Sequence, residues 1–299
     1  MHWKKHVTGL TFCFFFVPSY FTNKYVLSVL KFTYPTLFQG WQTLIGVLLL
    51  LLSGKLGWVE MSSFSRSAAL SWLPGSLLFV GNIYAGSRAL ACLPIAFFFT
   101  LHNASEVVYV FMERLIKRDG FTEISGMKVI SVSVVLLSAV SLPLHDPQFD
   151  QAGYTWGVIH LCSLGAYRVF QTHFKPNHLS DIEQHYVNYL ISVLLLVLAA
   201  HPTGDLFGAW KFPFLLSLRF QSGCCASALL GFFLLLATVK LKSGLASEQC
   251  NMWIFLSKVM AICLSPFVFI SDVNTPSLAC VVFSHIGEVL LVYSDRILR

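Results

Sequence analysis

The chain has 299 residues, 56% of them hydrophobic and only 11% charged, and its mean hydropathy is +0.70. Soluble domains carry about 25% charged residues, so this composition excludes a separate soluble domain and indicates a membrane protein along nearly its whole length. The positions of the charged residues along the chain are therefore more informative than the net charge of +6. The eight cysteines lie mostly in apolar runs and form no CxxC pair, which predicts buried thiols rather than disulfides or a metal cluster.

The first apolar run follows Lys4 and Lys5, as in a signal peptide. It is long, no small-x-small cleavage site follows it, and Asn23 and Lys24 end it, so we interpret it as an uncleaved first span. Hydropathy divides the whole chain into ten such segments, each near the roughly 20 residues that a bilayer requires. The predicted spans are 7–28, 35–53, 69–88, 92–112, 124–142, 152–171, 184–201, 217–239, 248–271 and 276–294.

The positions of lysine and arginine predict how these spans are oriented. If the N-terminus is cytosolic, fourteen of the twenty cations fall on the cytosolic side and four on the opposite side, while Lys24 and Lys258 stay within or at the edge of the membrane. Because cytoplasmic loops carry the excess of Lys and Arg, this bias predicts that both termini are cytosolic. The cytosolic group is Lys4, Lys5, Lys55, Arg66, Arg114, Lys117, Arg118, Lys128, Arg168, Lys175, Lys240, Lys242, Arg296 and Arg299.

The ten spans divide into two sets of five at the loop 143–153. An odd number of spans in each half forces the halves into opposite orientations in the bilayer. We therefore predict an all-α polytopic membrane protein: one transporter domain over residues 1–299, built from two inverted five-helix repeats, about 1–145 and 150–299. Small residues four apart recur in the third and eighth spans, as is typical of closely packed membrane helices. These are Gly81, Ala85 and Ala89 in the third span and Gly223, Ser227 and Gly231 in the eighth.

The stretch Ser247 to Ile270 is long enough to cross a bilayer as a helix, and Lys258 lies near its middle. A lysine at mid-membrane depth costs roughly 2.5–3.5 kcal/mol on insertion scales, so it persists only where something offsets that cost. An anionic substrate in a water-filled cavity, a buried carboxylate, or snorkelling toward the interface would each do so. We take Lys258 as the candidate residue that binds a transported anion. For Gln39 and Gln42 the favoured interpretation is interhelical hydrogen bonding, worth about 0.6 kcal/mol each.

Two His/Glu pairs lie one helical turn apart, His102 with Glu106 in the fourth span and His285 with Glu288 in the tenth. Such a pair can hold a cation or relay protons, or its two members can bond each other. No HExxH motif and no second carboxylate-rich helix accompany them, so we predict neither a metal site nor a cofactor. Walker-type loops, GxSxG and DDxxD motifs are also absent from the sequence, which predicts that the protein is not an enzyme.

Two longer strings resemble a known family. They are TNKYVLSVLKFTYPTLFQ, from Thr22 to Gln39, and YAGSRALACLPIAFFFTLHN, from Tyr84 to Asn103. Together with the ten-span plan they resemble the nucleotide-sugar transporter branch of the drug/metabolite transporter superfamily, and the Golgi GDP-mannose transporters within it. Members of that group carry a Thr-Asn-Lys at the end of the first span and a Lys-Asn in the fourth. The resemblance covers essentially the whole chain at low identity.

The same group carries an F-Y-N-N motif that opens the seventh span. Its places fall here on Tyr186, Val187, Asn188 and Tyr189, so an aromatic residue and one asparagine are kept. The resemblance implies that Asn188 bonds the base or ribose and that Tyr186 and Tyr189 stack or contact the sugar.

A G-A-L-N-K motif in the ninth span of that group falls here on residues 254–258. Only its leucine and lysine are kept: Ile254 and Phe255 replace the small residues, and Ser257 replaces the asparagine. Bulky side chains fill space that a ligand would use, and a lost amide removes a hydrogen-bond donor, so unchanged GDP-mannose recognition is not expected. The retained Lys258 suits the diphosphate that all nucleotide sugars share.

The resemblance implies a multi-pass Golgi antiporter that imports a nucleotide sugar into the lumen in exchange for a nucleoside monophosphate. A uridine sugar, first UDP-N-acetylglucosamine, is the predicted cargo; GDP-mannose, another small anion such as a triose phosphate, and a non-transporting protein that kept the fold are the alternatives. The expected partners are these nucleotides and the lipid bilayer, without nucleic acid, and a homodimer is left open. The candidate substrate-binding residues are Lys258, Ser257, Asn188, Tyr186, Tyr189, Asn23, Lys24, His102 and Asn103.

Overall fold

The computed structural model describes residues 2–61, 66–117, 125–176, 179–270 and 273–297, and within these ranges all regular structure is helical. Each predicted span has a helix at its place, and the predicted ends differ from the observed ones by a few residues. The elements are α1 (His2–Lys24), a π-helical turn (Tyr25–Val29), α2 (Pro35–Lys55), α3 (Arg66–Cys92), α4 (Ile95–Asn103), α5 (Ser105–Lys117), α6 (Gly126–His145), α7 (Gln151–His173), α8 (Asp181–Ala200), α9 (Asp205–Trp210), α10 (Leu218–Gly244), α11 (Ser247–Val268) and α12 (Thr275–Ile297).

Eight helical segments of the described chain are long and apolar enough to cross a membrane: α2, α3, α4 with α5, α6, α8, α10, α11 and α12. The predicted first and sixth spans correspond to α1 and α7, which have 23 residues each but are not among these eight. Large apolar side chains such as Leu144, Leu198 and Phe267 are exposed on the outer surface. An apolar surface of this extent suits lipid rather than water, so the chain is a multi-pass membrane protein.

The fourth span is interrupted. Its helix breaks at Ala104 between α4 and α5, where the backbone N–H groups of Ala104 and Val107 bond carbonyls only three residues back, at 3.1 Å each. Such a tightened turn leaves the regular helical ladder incomplete. Interrupted membrane helices are tolerated where protein or a cavity surrounds the backbone, and they often mark substrate sites. This break is not evident in the hydropathy of the sequence, which is continuous through it.

The chain connections contain two features that hydropathy did not predict. The first span ends in the π-helical turn and then at Lys31, whose φ of 55° places it in the left-handed region and stops the helix. The short helix α9 lies in the connection after α8, where the buried Asp205 carboxylate accepts a hydrogen bond from the Thr36 N–H at 3.2 Å. This contact ties α9 to the first turn of α2 and satisfies one of the free N–H groups there.

The ten long segments among the described residues are α1, α2, α3, α4 with α5, α6, α7, α8, α10, α11 and α12. If each of the first five segments is exchanged with the segment five places later, the main contacts between helices are reproduced. Thus α3 packs on α7 as α10 packs on α1, and α3 packs on α8 as α10 packs on α2. The pairs α2 with α8, α6 with α12 and α4 with α11 map onto themselves. The small-residue faces lie in these contacts: a Cβ built on Gly81 of α3 would be 3.3 Å from Ser163 Oγ, and one on Gly223 of α10 would be 3.0 Å from Val26 Cγ2. Close helix packing is thus observed at Gly81 and Gly223, as predicted, whereas a Cβ on Gly231, also in the α10 set, would meet no atom within 4 Å.

Candidate functional site

A cavity of about 410 Å³ lies where α4, α5, α7, α10, α11 and α12 meet, and we call it the charged cavity. Its charged lining comprises three cations, Arg168, Lys242 and Lys258, and two carboxylates, Glu106 and Glu288. Its other polar residues include His102, Asn103, Tyr167, Gln171 and Asn251. Charged side chains inside a membrane bundle face a cavity or one another, and here they do both.

Lys258 lies in this cavity, as the sequence predicted, but it is not an unpaired cation. Its Nζ donates to Glu288 Oε1 at 2.7 Å and to Asn103 Oδ1 at 2.8 Å, and its side chain is 7% exposed. Of the alternatives left open by the sequence, the buried carboxylate is therefore the one that neutralises the lysine in this structure. Asn103, another of the predicted site residues, is thus a direct contact of Lys258. Ile254, one turn earlier on α11, also lines the cavity and occupies space that glycine would leave open.

A second ion pair in the charged cavity was not predicted. Arg168 on α7 hydrogen-bonds Glu106 on α5, and its guanidinium carbon lies 5.0 Å from the centre of the Tyr109 ring. Arg168 is predicted from the sequence to be a cytosolic-side cation because it lies near the end of an apolar run. The low hydropathy of α7, which carries this arginine and Gln171, was the available signal that the helix lines a polar interior.

The two His/Glu pairs do not pair internally. Both carboxylates bond cations on other helices, Glu106 with Arg168 and Glu288 with Lys258. His285 donates instead to the carbonyl of Val281, four residues back on its own helix, at 2.8 Å. Within the described ranges, no three His, Cys, Asp or Glu side chains cluster as a metal ion would require. The helical spacing places each histidine and glutamate on one face of their helix. The packing of neighbouring helices, however, decides which residue each glutamate bonds.

A second cavity, the central cavity, has a volume of about 440 Å³ and lies on the other side of two histidines. His102 lines the charged cavity and His160 the central cavity, and His102 Nδ1 lies 3.2 Å from His160 Nε2. The other His160 nitrogen, Nδ1, lies 3.1 Å from the carbonyl of Asn82, which can only accept. A neutral His160 therefore carries its proton on Nδ1, so His102 donates to its Nε2.

The central cavity is lined by amides and aromatic rings. Of the predicted site residues it contains Asn23 and Tyr189. Asn23 Oδ1 accepts from Gln42 Nε2 at 2.9 Å and also from Ser227, so α1, α2 and α10 are joined there. Gln39 bonds Ser87 of α3, so the interhelical role predicted for both glutamines is confirmed. Among the described residues, Asn82 and His185 of this lining each have one buried polar atom, Oδ1 and Nδ1, without a hydrogen-bond partner.

Asn188, predicted to bond the base or ribose, is occupied by protein contacts in this structure. It is fully buried; its Oδ1 accepts from Trp72 Nε1 and Ser76 Oγ, both at 2.9 Å, and its Nδ2 donates to Tyr167 OH at 2.9 Å. Because Tyr167 lines the charged cavity, Asn188 holds a wall residue of that cavity in place. The retained motif residue therefore supports the site through packing between α3, α7 and α8.

The remaining predicted site residues also face the protein. The fully buried Ser257 donates to the Trp253 carbonyl at 2.8 Å and lies 2.9 Å from Cys13 Sγ on α1, although it is adjacent to Lys258 in the chain. A one-residue step on a helix turns the side chain by about 100°, which separates the two. Tyr186 packs against the apolar cluster of Leu50, Phe232 and Leu235.

Lys24 is buried at the end of α1 and acts on the backbone of the neighbouring α3–α4 junction. Its Nζ donates to the carbonyls of Leu90 and Leu93, each at 2.8 Å. The last carbonyls of a helix lack intrahelical donors and carry partial negative charge, so a lysine there both bonds them and opposes the dipole. In this structure Lys24 joins two helix ends, and neither cavity includes it among its lining residues.

The charged cavity continues into a second hollow of about 400 Å³ at the ends of α5, α7 and α11. The two hollows share Glu106, Arg168 and Gln171, and the outer one is also lined by Lys128 and Ser247. Those helix ends lie on the side that the lysine and arginine distribution predicts to be cytosolic. The arrangement therefore provides a polar path from one face of the protein to Arg168, near the end of α7, and to Lys258, at the middle of α11. The histidine pair lies between that path and the central cavity.

The chain is similar to two relatives over nearly the whole length of both sequences. The UDP-N-acetylglucosamine transporter TMEM241 homolog of Xenopus laevis is 55% identical over 296 residues, 99% of each chain. The UDP-N-acetylglucosamine transporter TMEM241 of Mus musculus is 50% identical over the same length and coverage. GDP-mannose transporter 2 of Neosartorya fischeri is 27% identical over 216 residues, which cover 64% of this chain and 58% of the relative. No family model matches the chain.

Proposed function

Since the chain belongs to the TMEM241 family of nucleotide-sugar transporters, we propose that it exchanges UDP-N-acetylglucosamine for a nucleoside monophosphate across the Golgi membrane. It is a transporter rather than an enzyme, as the sequence predicted. The observation that carries the proposal is the charged cavity, in which Lys258 and Arg168 lie at the middle of a helical bundle and within reach of a polar path. Cations in such a position suit a diphosphate, which is the part common to all nucleotide sugars.

The choice of a uridine sugar is supported by two independent observations. The two relatives that cover the whole chain are named as UDP-N-acetylglucosamine transporters, whereas those named as GDP-mannose transporters are far less similar. In addition, the positions that would recognise GDP-mannose are replaced or occupied: Ile254 stands in place of a small residue in the cavity wall, and the retained Asn188 is bonded inside the protein. GDP-mannose remains the alternative cargo.

The uncharged parts of the substrate have a suitable site in the central cavity. Its lining joins amides such as Asn23 and Asn82 to aromatic rings such as Tyr189, and this combination can both hydrogen-bond and stack against a base or a sugar. His102 and Asn103 lie at the junction with the charged cavity. A ligand that spans both cavities would place its phosphates at Lys258 and Arg168.

We propose further that transport occurs by rocking of two inverted five-helix repeats within one domain. The repetition of helix pairs five segments apart supports this plan, as do the small-residue faces of α3 and α10 at matching places. The proposed orientation has both termini in the cytosol, so that the outer hollow opens to the cytosolic pool of nucleotide sugar. A bound nucleoside monophosphate would then return from the lumen by the same path.

The test is exchange in proteoliposomes. The purified full-length protein is reconstituted, the vesicles are loaded with UMP or GMP, and uptake of labelled UDP-N-acetylglucosamine, other UDP sugars and GDP-mannose is measured. We expect UMP-dependent uptake of UDP-N-acetylglucosamine to exceed that of every other sugar. Faster GMP-dependent uptake of GDP-mannose would reverse the choice of substrate, and a lack of exchange with every nucleotide sugar would contradict transport altogether.

The altered motif positions also favour a second candidate, a membrane protein that kept the fold without transporting. Ligand binding separates the two, because a ligand that binds only the folded state raises its apparent stability. If no nucleotide or nucleotide sugar raises the unfolding temperature of the detergent-solubilised protein, the non-transporting candidate gains support.

A further inference from the structure

Two cation–carboxylate pairs face the same cavity. Lys258 of α11 bonds Glu288 of α12 at 2.7 Å, and Arg168 of α7 bonds Glu106 of α5. All four side chains line the charged cavity. The fifth charged residue of its lining is Lys242. In this structure the counterions of Lys258 and Arg168 are therefore carboxylates of the protein itself.

The charge of these two carboxylates matches that of the proposed substrates. The diphosphate of a nucleotide sugar carries about two negative charges, and a monophosphate ester carries about 1.5 to 2 at neutral pH. Both kinds of anion need well-placed donors, which an arginine fork and a lysine ammonium supply. A bound dianion would thus compete with Glu106 and Glu288 for the same two partners.

The geometry allows the carboxylates to be displaced. Glu288 bonds through one oxygen only, and its Oε2 is buried without a hydrogen-bond partner among the described residues. When Glu288 turns away, Lys258 retains Asn103 Oδ1 at 2.8 Å as a second partner. Arg168 likewise retains the Tyr109 ring. Each cation is therefore held in place by a neutral group while its anionic partner changes.

We propose that Glu106 and Glu288 are internal counterions that compete with the substrate phosphates for Arg168 and Lys258, and so determine affinity and the preference for dianions. This inference rests on the proposed function of the same cavity. The competition weakens binding, because each phosphate contact replaces an ion pair that already exists. It also assists release, because the carboxylates bond the cations again as the nucleotide leaves.

The test compares binding of UMP with binding of uridine, which has no phosphate, by calorimetry on the full-length protein in detergent. Glu288→Gln and Glu106→Gln keep the shape of each side chain and remove its charge. We expect each variant to lower the Kd for UMP about tenfold, while the Kd for uridine stays unchanged. UMP/UDP-N-acetylglucosamine exchange should slow, because release becomes limiting. The matched control is Asp181→Asn, which breaks the 2.6 Å pair with Lys175 outside the cavity and should leave both Kd values unchanged.

The outcomes separate the inference from the proposed function. UMP affinity that is unchanged or weaker in folded Glu288→Gln and Glu106→Gln proteins, beside a wild type that binds and exchanges, overturns the inference alone. A wild type that binds no nucleotide contradicts the proposed function. Glu288→Asp provides a second measurement if the amide variant does not fold, because the shorter side chain weakens the pair but keeps the charge. It should give an intermediate Kd, and a Kd equal to that of the wild type counts against the inference.

Discussion

At the scale of single residues, Lys258 shows how the surroundings of a charge decide what it does. The cost of placing a lysine at mid-membrane depth predicted that something must offset it, and Glu288 with Asn103 does so in this structure. The lysine nevertheless lies in the wall of a cavity with a second cation nearby, as the proposed binding of an anionic substrate requires. Its structural role and its proposed role in transport can be separated by changing Lys258 and Glu288 together.

Lys258→Ala should lower the free energy of unfolding by about 3–5 kcal/mol, because it leaves the buried Glu288 carboxylate without a counterion. The double variant Lys258→Met with Glu288→Gln should recover most of that loss, yet both variants should abolish nucleotide-sugar exchange. Thermal unfolding in detergent and proteoliposome uptake give the two readouts. Near-normal exchange by the double variant would remove Lys258 from the mechanism.

Asn188 differs in that all its hydrogen bonds are made within the protein. Asn188→Ala leaves the buried donors of Trp72 and Ser76 without their acceptor, so we expect a loss of about 1–3 kcal/mol in unfolding free energy. Its Kd for UMP should rise no more than that of Tyr167→Phe, which loses the same contact at the cavity wall. Leu198→Ala on the exposed side of the same helix is the control for stability and should cost little. A larger loss of UMP binding in folded Asn188→Ala than in Tyr167→Phe would return Asn188 to the binding site.

At the scale of helices, the position of α7 decides whether the second ion pair can form. Gly165 lies where α7 crosses α5, and a Cβ there would be 2.8 Å from the Ser105 carbonyl oxygen and 2.6 Å from Val108 Cβ. The backbone of α5 just after the helix break therefore lies directly against α7. This close approach brings Arg168, three residues further along α7, to Glu106, the residue after Ser105.

Gly165→Ala should destabilise the protein by about 1–3 kcal/mol, because the added methyl group forces α7 away from α5. Gly231→Ala is the matched control: a Cβ at that position meets no atom within 4 Å, so the substitution should leave stability unchanged or raise it slightly. Unfolding temperatures of the two variants in the same detergent provide the comparison. Equal stability of both proteins would show that α5 and α7 are less tightly packed at Gly165 than in this structure.

At the scale of the whole molecule, orientation in the membrane decides whether the charged cavity opens to the cytosol or to the lumen. The outer hollow lies at the ends of α5, α7 and α11, near Lys128 and Lys242, which belong to the positively charged side. The excess of lysine and arginine on that side predicts that it faces the cytosol. The nucleotide sugar would then enter from the compartment in which both termini lie.

Epitope tags placed at the two ends should both be removed by protease from intact Golgi-derived vesicles without detergent. A tag buried in the protein would resist cleavage as well, so a second digestion after detergent is the control for access. Protection of both tags would invert the orientation and place the outer hollow in the lumen. Protection of one tag alone would require an odd number of spans.

Much of the helical framework was predictable from the sequence, because each crossing must satisfy its own backbone hydrogen bonds within roughly 20 apolar residues. That requirement is local, so α2, α6 and α12 lie where hydropathy placed them. The break at Ala104 could not be predicted in this way, because the average hydropathy of Ile95–Lys117 still suits a membrane span even though four of the five residues 102–106 are polar. The short α9 was missed as well, since its stability comes from burial against α2 and the bonds of Asp205 to Thr36.

The sequence by itself determined a polytopic helical membrane protein with a lysine at mid-membrane depth, since apolar length and the cost of a buried charge depend only on local composition. The tertiary structure alone decided how each charge is paired. Glu288 lies 30 residues from Lys258, and Glu106 lies 62 residues from Arg168, each on a different helix from its partner. Each carboxylate has a histidine one helical turn away on its own helix. It bonds a cation on another helix instead, because α5 packs on α7 and α11 packs on α12. A full counter-charge stabilises a carboxylate in a low-dielectric interior more than a neutral ring does.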